Sequence, residues 1–373
     1  MFVTGCHRSG TSLMAAVLAE LLTQLRPEAA VQPLAQRSDL PPSLDNPLGF
    51  FESPQLRLLN DELLGLAGCA WDRPPLLEVD WSSLVPLARW QQARADFRLQ
   101  ALDAHWVDKD PRLALTFRAW THILLRRPPL VVVLRDPAEV AASLYSRNGA
   151  GWQLDRGLVL WYLYNHHLAS VVQPGDLLLS YGQLLSPDAQ SRDAVADALA
   201  VWLHGQSFDG VSAHQCSTVL NHMVKPDLQR SSAALGSVPP HSQASEPLLA
   251  LCSTAYRQVA VASGDAASRF VTCFQDLPQV VLQALCGSDW LGFGPFAQCQ
   301  ITLLQNALAE EQARLVEQQA NRQQLEQSFS THLDEHRALI RAQQEQLISL
   351  QQSLSWRCTA PLRRLTARLR SSR

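Results

Sequence analysis

Residues 2 to 12, FVTGCHRSGTS, combine glycine spacing, hydroxyls and one cation in a way that suits an anion. Gly5 is followed by four residues, then Gly10, Thr11 and Ser12. Glycines let backbone approach phosphate oxygens, and a helix that follows aims its first N–H groups and positive dipole end at them. A nucleoside-triphosphate loop reads GxxxxGK[ST], with lysine at the place of Thr11 and a hydroxyl on magnesium. Here that lysine is missing, and the cation sits inside the loop as Arg8, between His7 and Ser9. The pattern points to a phosphate-bearing ligand other than a nucleoside triphosphate. An ordinary tight turn before a core helix is the structural alternative.

A second group stands in PLVVVLRDPAEVAASLYSR, residues 129 to 147. Its apolar run reads as a strand buried on both faces. Asp136 then reads as an N-cap, Pro137 as the first helical residue and Glu139 as a capping-box partner. Arg135 would stand at the carboxyl end of that strand, where ligands of open α/β sheets bind, with Ser143 about two turns into the helix. A guanidinium there offers a planar fork matched to phosphate oxygens, and the serine one further bond. Pairing of Arg135 with a nearby carboxylate such as Asp136 is the alternative.

With these residues in view the chain resembles the sulfotransferase superfamily, whose donor is 3′-phosphoadenosine-5′-phosphosulfate (PAPS). The resemblance implies that Gly5, His7, Arg8, Ser9, Gly10, Thr11 and Ser12 form the loop for the 5′-phosphosulfate. It implies that Arg135 and Ser143, eight residues apart, hold the 3′-phosphate. It continues, towards bacterial members, through GFFESPQLRLLNDELL (49 to 64), WVDKDPRLALTFRAW (106 to 120), LWYLYN (160 to 165) and LLLSYGQLL (177 to 185). Tyr181 in the last block matches a tyrosine of the adenine pocket, although Gly182 stands where relatives carry an acid.

The implied reaction moves a sulfuryl group from PAPS to a hydroxyl or amine, for which a carbohydrate or glycolipid is the expected acceptor. It needs a cation for the leaving oxygen and a base for the acceptor proton. Lys109 is the candidate cation, with Arg8 assisting; among 31 Lys and Arg residues only Lys109 and Lys225 are lysines. A lysine can follow a developing charge as a mobile point cation. Its alternative is a surface lysine beside Asp108 and Asp110. Glu52 is the candidate base, at the position where glycan and tyrosyl-protein sulfotransferases place a glutamate. Phe50 and Phe51 would desolvate it. Pro111 falls where soluble small-molecule members place a histidine, which favours Glu52; His7 and Asp110 are fallback bases. The structural alternative for Glu52 is a cap on the helix after Pro54.

These groups need an α/β scaffold: a P-loop-type central parallel sheet flanked by helices, then a long C-terminal helix. Leu13, Met14, Val17, Leu18, Leu21, Leu22 and Leu25 recur at three- and four-residue spacing and predict an amphipathic helix directly after the loop. Residues 1–298 read as the catalytic domain, 299–355 as a long helix or coiled coil and 356–373 as a basic amphipathic tail. Within the first, Pro239 and Pro240 mark a loop, Lys225 and Arg230 a basic segment, and helices are expected near 246 to 263 and 278 to 286. Trp161, Tyr162, Tyr164 and Asn165 read as helix core, and adjacent His166 and His167 suit no metal site.

Beyond Ile301, Gly and Pro vanish until Pro361. Leu333, Ile340, Leu347 and Leu354 fall seven apart, as do Ile301, Leu308 and Leu315. The sets are offset by four, read as a stutter in a self-associating coiled coil; a solvated single helix is the alternative. The tail has six arginines after Trp356 and no acid, the pattern of a peripheral anchor on an anionic surface.

The net charge of −3 implies no general nucleic-acid affinity. Eight cysteines without a CxxC pair suggest neither a disulfide framework nor a zinc site. Met1 leads straight into a strand without a basic leader, and no apolar run approaches a membrane span. A cytoplasmic enzyme touching the inner membrane through its tail, with no metal, is the expectation. The competing classes are a P-loop small-molecule kinase and a non-catalytic coiled-coil scaffold.

Overall fold

The computed structural model describes residues 1–25, 52–103, 106–149, 152–208, 210–224, 244–260, 265–286 and 294–370. The chain divides into two compact units, Met1–Thr302 and Leu303–Arg373.

The first unit is α/β. Strands β1 (Phe2–Thr4), β2 (Asp108–Lys109), β3 (Leu130–Leu134) and β4 (Leu177–Ser180) form one parallel sheet in the order β2-β1-β3-β4. The register sets Val3 beside Lys109 and Val131, and Leu134 beside Ser180. The carboxyl ends of all four strands therefore open on one edge. From β1 the chain passes to β2 on one side, then crosses to β3 on the other, so the strand order reverses around β1. Ligand crevices of open α/β sheets lie at such a reversal.

The sheet is covered on both faces, which is why β3 is apolar at every position, with no residue more than 3% exposed. On one face Val3, Val131, Val133, Leu177 and Leu179 share a core with helices α1 (Thr11–Leu25), α9 (Ala189–Gly205) and α10 (Ala213–Met223). On the other, Phe2 meets Trp106, Trp120 and Phe117 edge-on, with ring centroids 4.9, 5.3 and 6.4 Å away. Trp120 and Phe117 belong to α5 (Leu113–Leu124). Between α1 and α5 the chain forms α2 (Pro54–Leu66), the one-turn α3 (Trp81–Leu84) and α4 (Leu87–Asp103). Each aromatic pair adds roughly 0.5–1.5 kcal/mol beyond its buried area.

Helix α6 (Pro137–Asn148) follows β3, and α7 (Leu154–Ala169) packs along it. The approach is close: a Cβ on Gly157 would stand 2.7 Å from Ala141 Cα. The buried helix α7 carries Trp161, Tyr162, Tyr164 and Asn165 inward. His166 and His167 each bond a backbone carbonyl, of Phe274 and Pro75 respectively. A one-turn α8 (Tyr181–Leu184) ends β4. Past α10 come α11 (Glu246–Ala260), α12 (Ala266–Phe274) and α13 (Gln279–Cys286). Phe274 closes the far side of α7, 5.5 Å from Trp161 and 5.4 Å from Tyr162. Lys225, Arg230, Pro239 and Pro240 lie outside the described residues.

Helix α14 runs unbroken from Gly294 to Gln352 and is followed by α15 (Leu354–Cys358) and α16 (Ala360–Arg370). The tail is thus two helices, parted at Thr359 just before Pro361. Among the described residues no helix is long and apolar enough to cross a membrane.

Candidate active site

Four sheet ends converge on the crevice. The loop after β1 turns through Arg8 at φ 69° and Gly10 at φ 90°, and Ser9 N–H closes it by donating to Cys6 O at 3.1 Å. A left-handed arginine is strained, since its Cβ crowds the following carbonyl. Two contacts leave no room for side chains on the glycines. A Cβ on Gly5 would stand 2.4 Å from Val133 O, and one on Gly10 would stand 2.1 Å from Tyr181 Cδ2. Helix α1 starts at Thr11, so its first turn faces the crevice with the donors that an anion accepts. Ser9 Oγ and His7 Nε2 are buried and have no hydrogen-bond partner among the described residues. Buried polar atoms are rarely left so, and both lie in the loop that would wrap a phosphate.

The cation end of the loop meets β3 and α6. Arg8 Nε donates to Ser143 Oγ at 2.9 Å. Arg135 Nη1 donates to Arg8 O at 2.7 Å, and its guanidinium lies over the Tyr181 ring, 4.5 Å from the centroid. Arg8, Ser143, Arg135, Gly10 and Tyr181 therefore form one contiguous wall, although they come from three separate parts of the chain. Burial pushes the Tyr181 hydroxyl above its ordinary pKa, partly opposed by Arg135. Asp136 caps α6 by accepting from Ala138 N and Glu139 N. Glu139 does not close a capping box: its carboxylate accepts from Arg135 Nε at 2.9 Å, because the fork of Arg135 turns back along α6. The carboxylate beside Arg135 is thus Glu139, and Asp136 is spent on the helix.

On the other side of β1, Lys109 ends β2 fully inside the protein. Its ammonium donates to Glu52 Oε1 at 2.6 Å, with side-chain exposures of 2% and 9%. Lys109 is therefore not a surface residue. Glu52 is not a cap either: Ser53 Oγ accepts from Leu56 N and Pro54 opens α2. Phe50 and Phe51 lie outside the described residues.

Asp108 and Asp110 flank Lys109 with different fates. Asp110 accepts from Asn60 Nδ2 at 2.8 Å and from Arg112 N and Nη1, which occupies it as an anchor. Asn60 in turn accepts from Thr116 and Trp120, a fully buried network. Asp108 accepts from Lys109 N at 2.9 Å, and burial raises its carboxyl to about 8 against the opposing pull of the Lys109 and Ser53 backbone N–H groups.

His7 is held well below its usual pKa by burial, then by Arg112, Arg147, Lys109 and Arg8, so it is neutral at pH 7. It packs 4.8 Å from Trp71 and 5.6 Å from Tyr164. Two residues of this neighbourhood, Tyr256 and Asn60, went unremarked in the sequence, and Trp161, read there as helix core, has a further role. Trp161 Nε1 fixes Arg135 O at 2.9 Å, Tyr256 bonds Ser180 Oγ at 2.9 Å, and Asn60 orders Asp110. Among the described residues no group of His, Cys, Asp or Glu could hold a metal ion.

Fold and site together define a parallel α/β protein with a glycine loop and the start of α1 at the carboxyl edge of its sheet. No family model matches the chain, and no curated protein matches it. Among solved structures it is similar to the sulfotransferase domain of the Synechococcus PCC 7002 olefin synthase. That match is 16% identical, covers 69% of this chain and 93% of the other, and has a TM-score of 0.36.

Proposed function

We propose that the chain is a sulfotransferase that moves a sulfuryl group from PAPS to a hydroxyl or amine. The observation that carries this reading is the convergence of Arg8, Ser143 and Arg135 beside the start of α1, one strand away from a buried Lys109–Glu52 pair. Loop N–H groups, Ser9, Thr11 and Ser12 would hold the 5′-phosphosulfate. Arg135 and Ser143 would hold the 3′-phosphate, and Tyr181 would line the adenine side. The unpartnered Ser9 Oγ and the space kept clear at Gly5 and Gly10 fit such an occupant.

In this reading the acceptor oxygen attacks sulfur, the S–O bond to the 5′-phosphate breaks, and that phosphate leaves with the electron pair. Lys109 supports the leaving oxygen and Glu52 takes the acceptor proton. The resting ion pair gives the order of events. While Lys109 is bonded to Glu52, both charges are compensated in a buried place. A donor that draws the ammonium towards its own oxygens leaves the glutamate desolvated and without its cation, which makes it more basic. Donor binding thus switches on the base.

A carbohydrate or glycolipid is the proposed acceptor class, with 1–298 as the catalytic domain. The arginine-rich tail 356–373 supports a reaction near an anionic membrane surface.

Thermal unfolding with 3′-phosphoadenosine-5′-phosphate, beside ATP with magnesium, tests the donor. At 100 times its dissociation constant the ligand adds roughly 2.7 kcal/mol of stability. A shift with the bisphosphate that is lost in Arg135→Ala supports the reading. A shift with ATP and magnesium alone replaces it by a kinase, and no shift with either favours a scaffold.

A further inference from the structure

Helix α14 holds large apolar side chains in water: Leu315, Phe329, Leu333, Ile340, Leu347 and Leu350 are 41–69% exposed. In the heptad frame with Leu333, Ile340 and Leu347 at a, the residues Ile301, Leu308, Leu315 and Phe329 fall at d. The four-residue offset between the two sets is the d-to-a step of that one frame. They are alternating columns of a single seam, and there is no stutter. A seven-residue repeat stays on one face only against another helix that winds with the same repeat. Among the described residues no other helix exceeds 17 residues.

The polar interruptions identify the partner helix and its direction. Arg322 occupies a d position and Glu326 the next a position. In a parallel pair each layer meets its own copy, so Arg322 would face Arg322 and Glu326 would face Glu326. In an antiparallel pair a layers meet d layers. With the two-fold axis at Gln324, Leu333 stands opposite Leu315, Ile340 opposite Leu308, and Leu347 opposite Ile301. The same alignment sets Glu326 against Arg322 and Gln343 against Gln305. Leu333, Ile340 and Leu347 meet apolar residues and opposite charges meet; Phe329, Leu350 and His336 face Gln319, Gln298 and Gln312.

We propose that α14 pairs antiparallel with α14 of a second copy of this chain about an axis at Gln324, each Arg322 bonded to the other copy's Glu326. Within one helix Arg322 Nε already lies 3.0 Å from Glu326 Oε1, with the two side chains 81% and 63% exposed, so exchanging partners needs only side-chain rotation. The inference does not depend on the reaction.

Light scattering on the eluting full chain should give twice 41.3 kDa. Arg322→Glu should raise the dimer dissociation constant by at least tenfold, and adding Glu326→Arg should restore it. In a parallel pair the single reversal would only exchange one like-charge layer for another. Spin labels, placed after replacing reactive native cysteines by serine, fix the direction. A label at Gln324 should report a distance of about 20 Å, and one at Glu345 about 60 Å. A monomer at tens of micromolar, a single reversal without effect, or a short distance at Glu345 would overturn the proposal.

Discussion

Lys109 and Glu52, 57 residues apart in the chain, share a 2.6 Å bond in a place almost closed to water. Removing one partner strands the other. Glu52→Gln should therefore cost on the order of 3–5 kcal/mol of stability. It should also lower turnover by about 10²–10⁴ while leaving bisphosphate binding nearly intact. Adding Lys109→Met removes the stranded ammonium, so denaturant melts of the double variant should recover much of the stability. Full activity in the single variant would remove Glu52 from the chemistry.

Arg135 serves both as structure and as candidate ligand, because it bonds Arg8 O and lies over Tyr181. Titration calorimetry of Arg135→Ala with the bisphosphate should show a loss of roughly 2–5 kcal/mol. Ser143→Ala should lose about 1.5–3 kcal/mol, the range for one hydrogen bond to a charged group such as phosphate. Equal losses would mean that Arg135 acts chiefly on the loop.

Gly10 is bounded by a rigid ring instead of a flexible chain end. Gly10→Ala puts a methyl into Tyr181 at a left-handed φ, so it should abolish detectable bisphosphate binding. Adding Tyr181→Ala removes the clash but not the backbone strain, so binding should return only in part. Unchanged binding in Gly10→Ala would show that the ring moves aside at little cost.

Asp108 gives a pH dependence with a definite sign. Its carboxyl ionises near 3.8 when exposed and near 8 in the fold, so the folded state holds its proton more tightly. This contribution to stability is complete below about pH 4 and is lost as pH rises towards 8. Asp108→Asn keeps an acceptor for Lys109 N and cannot ionise. Melts across that window should be flatter in the variant, which gains on the order of 1–3 kcal/mol over the parent at pH 8. Parallel curves would show that another group titrates.

What could be read from the sequence was whatever a local pattern encodes. The glycine spacing, the apolar run of β3 and the Asp136–Pro137 start of α6 all act within one turn or strand, and they place Arg8, Arg135 and Ser143 at one sheet edge. The roles of Trp161, Asn60 and Tyr256 depend on packing between segments, 26, 50 and 76 residues from their partners, and no local period announces them. The bond of Glu139 to Arg135 sits at four-residue spacing, yet capping chemistry accounted for the same residue equally well. The seam of α14 was visible column by column, and only the common frame joins its two halves.

The close contact of Gly157 with Ala141 has a consequence for affinity. Ala141 lies two residues before Ser143 on α6, so the depth at which α7 seats against α6 decides where that hydroxyl stands relative to Arg8. A single hydrogen atom in place of a methyl group thus sets how closely α7 approaches the stretch of α6 that carries Ser143, which the proposed function assigns to the donor. Selection on ligand binding would be felt at Gly157 without that residue ever touching the ligand.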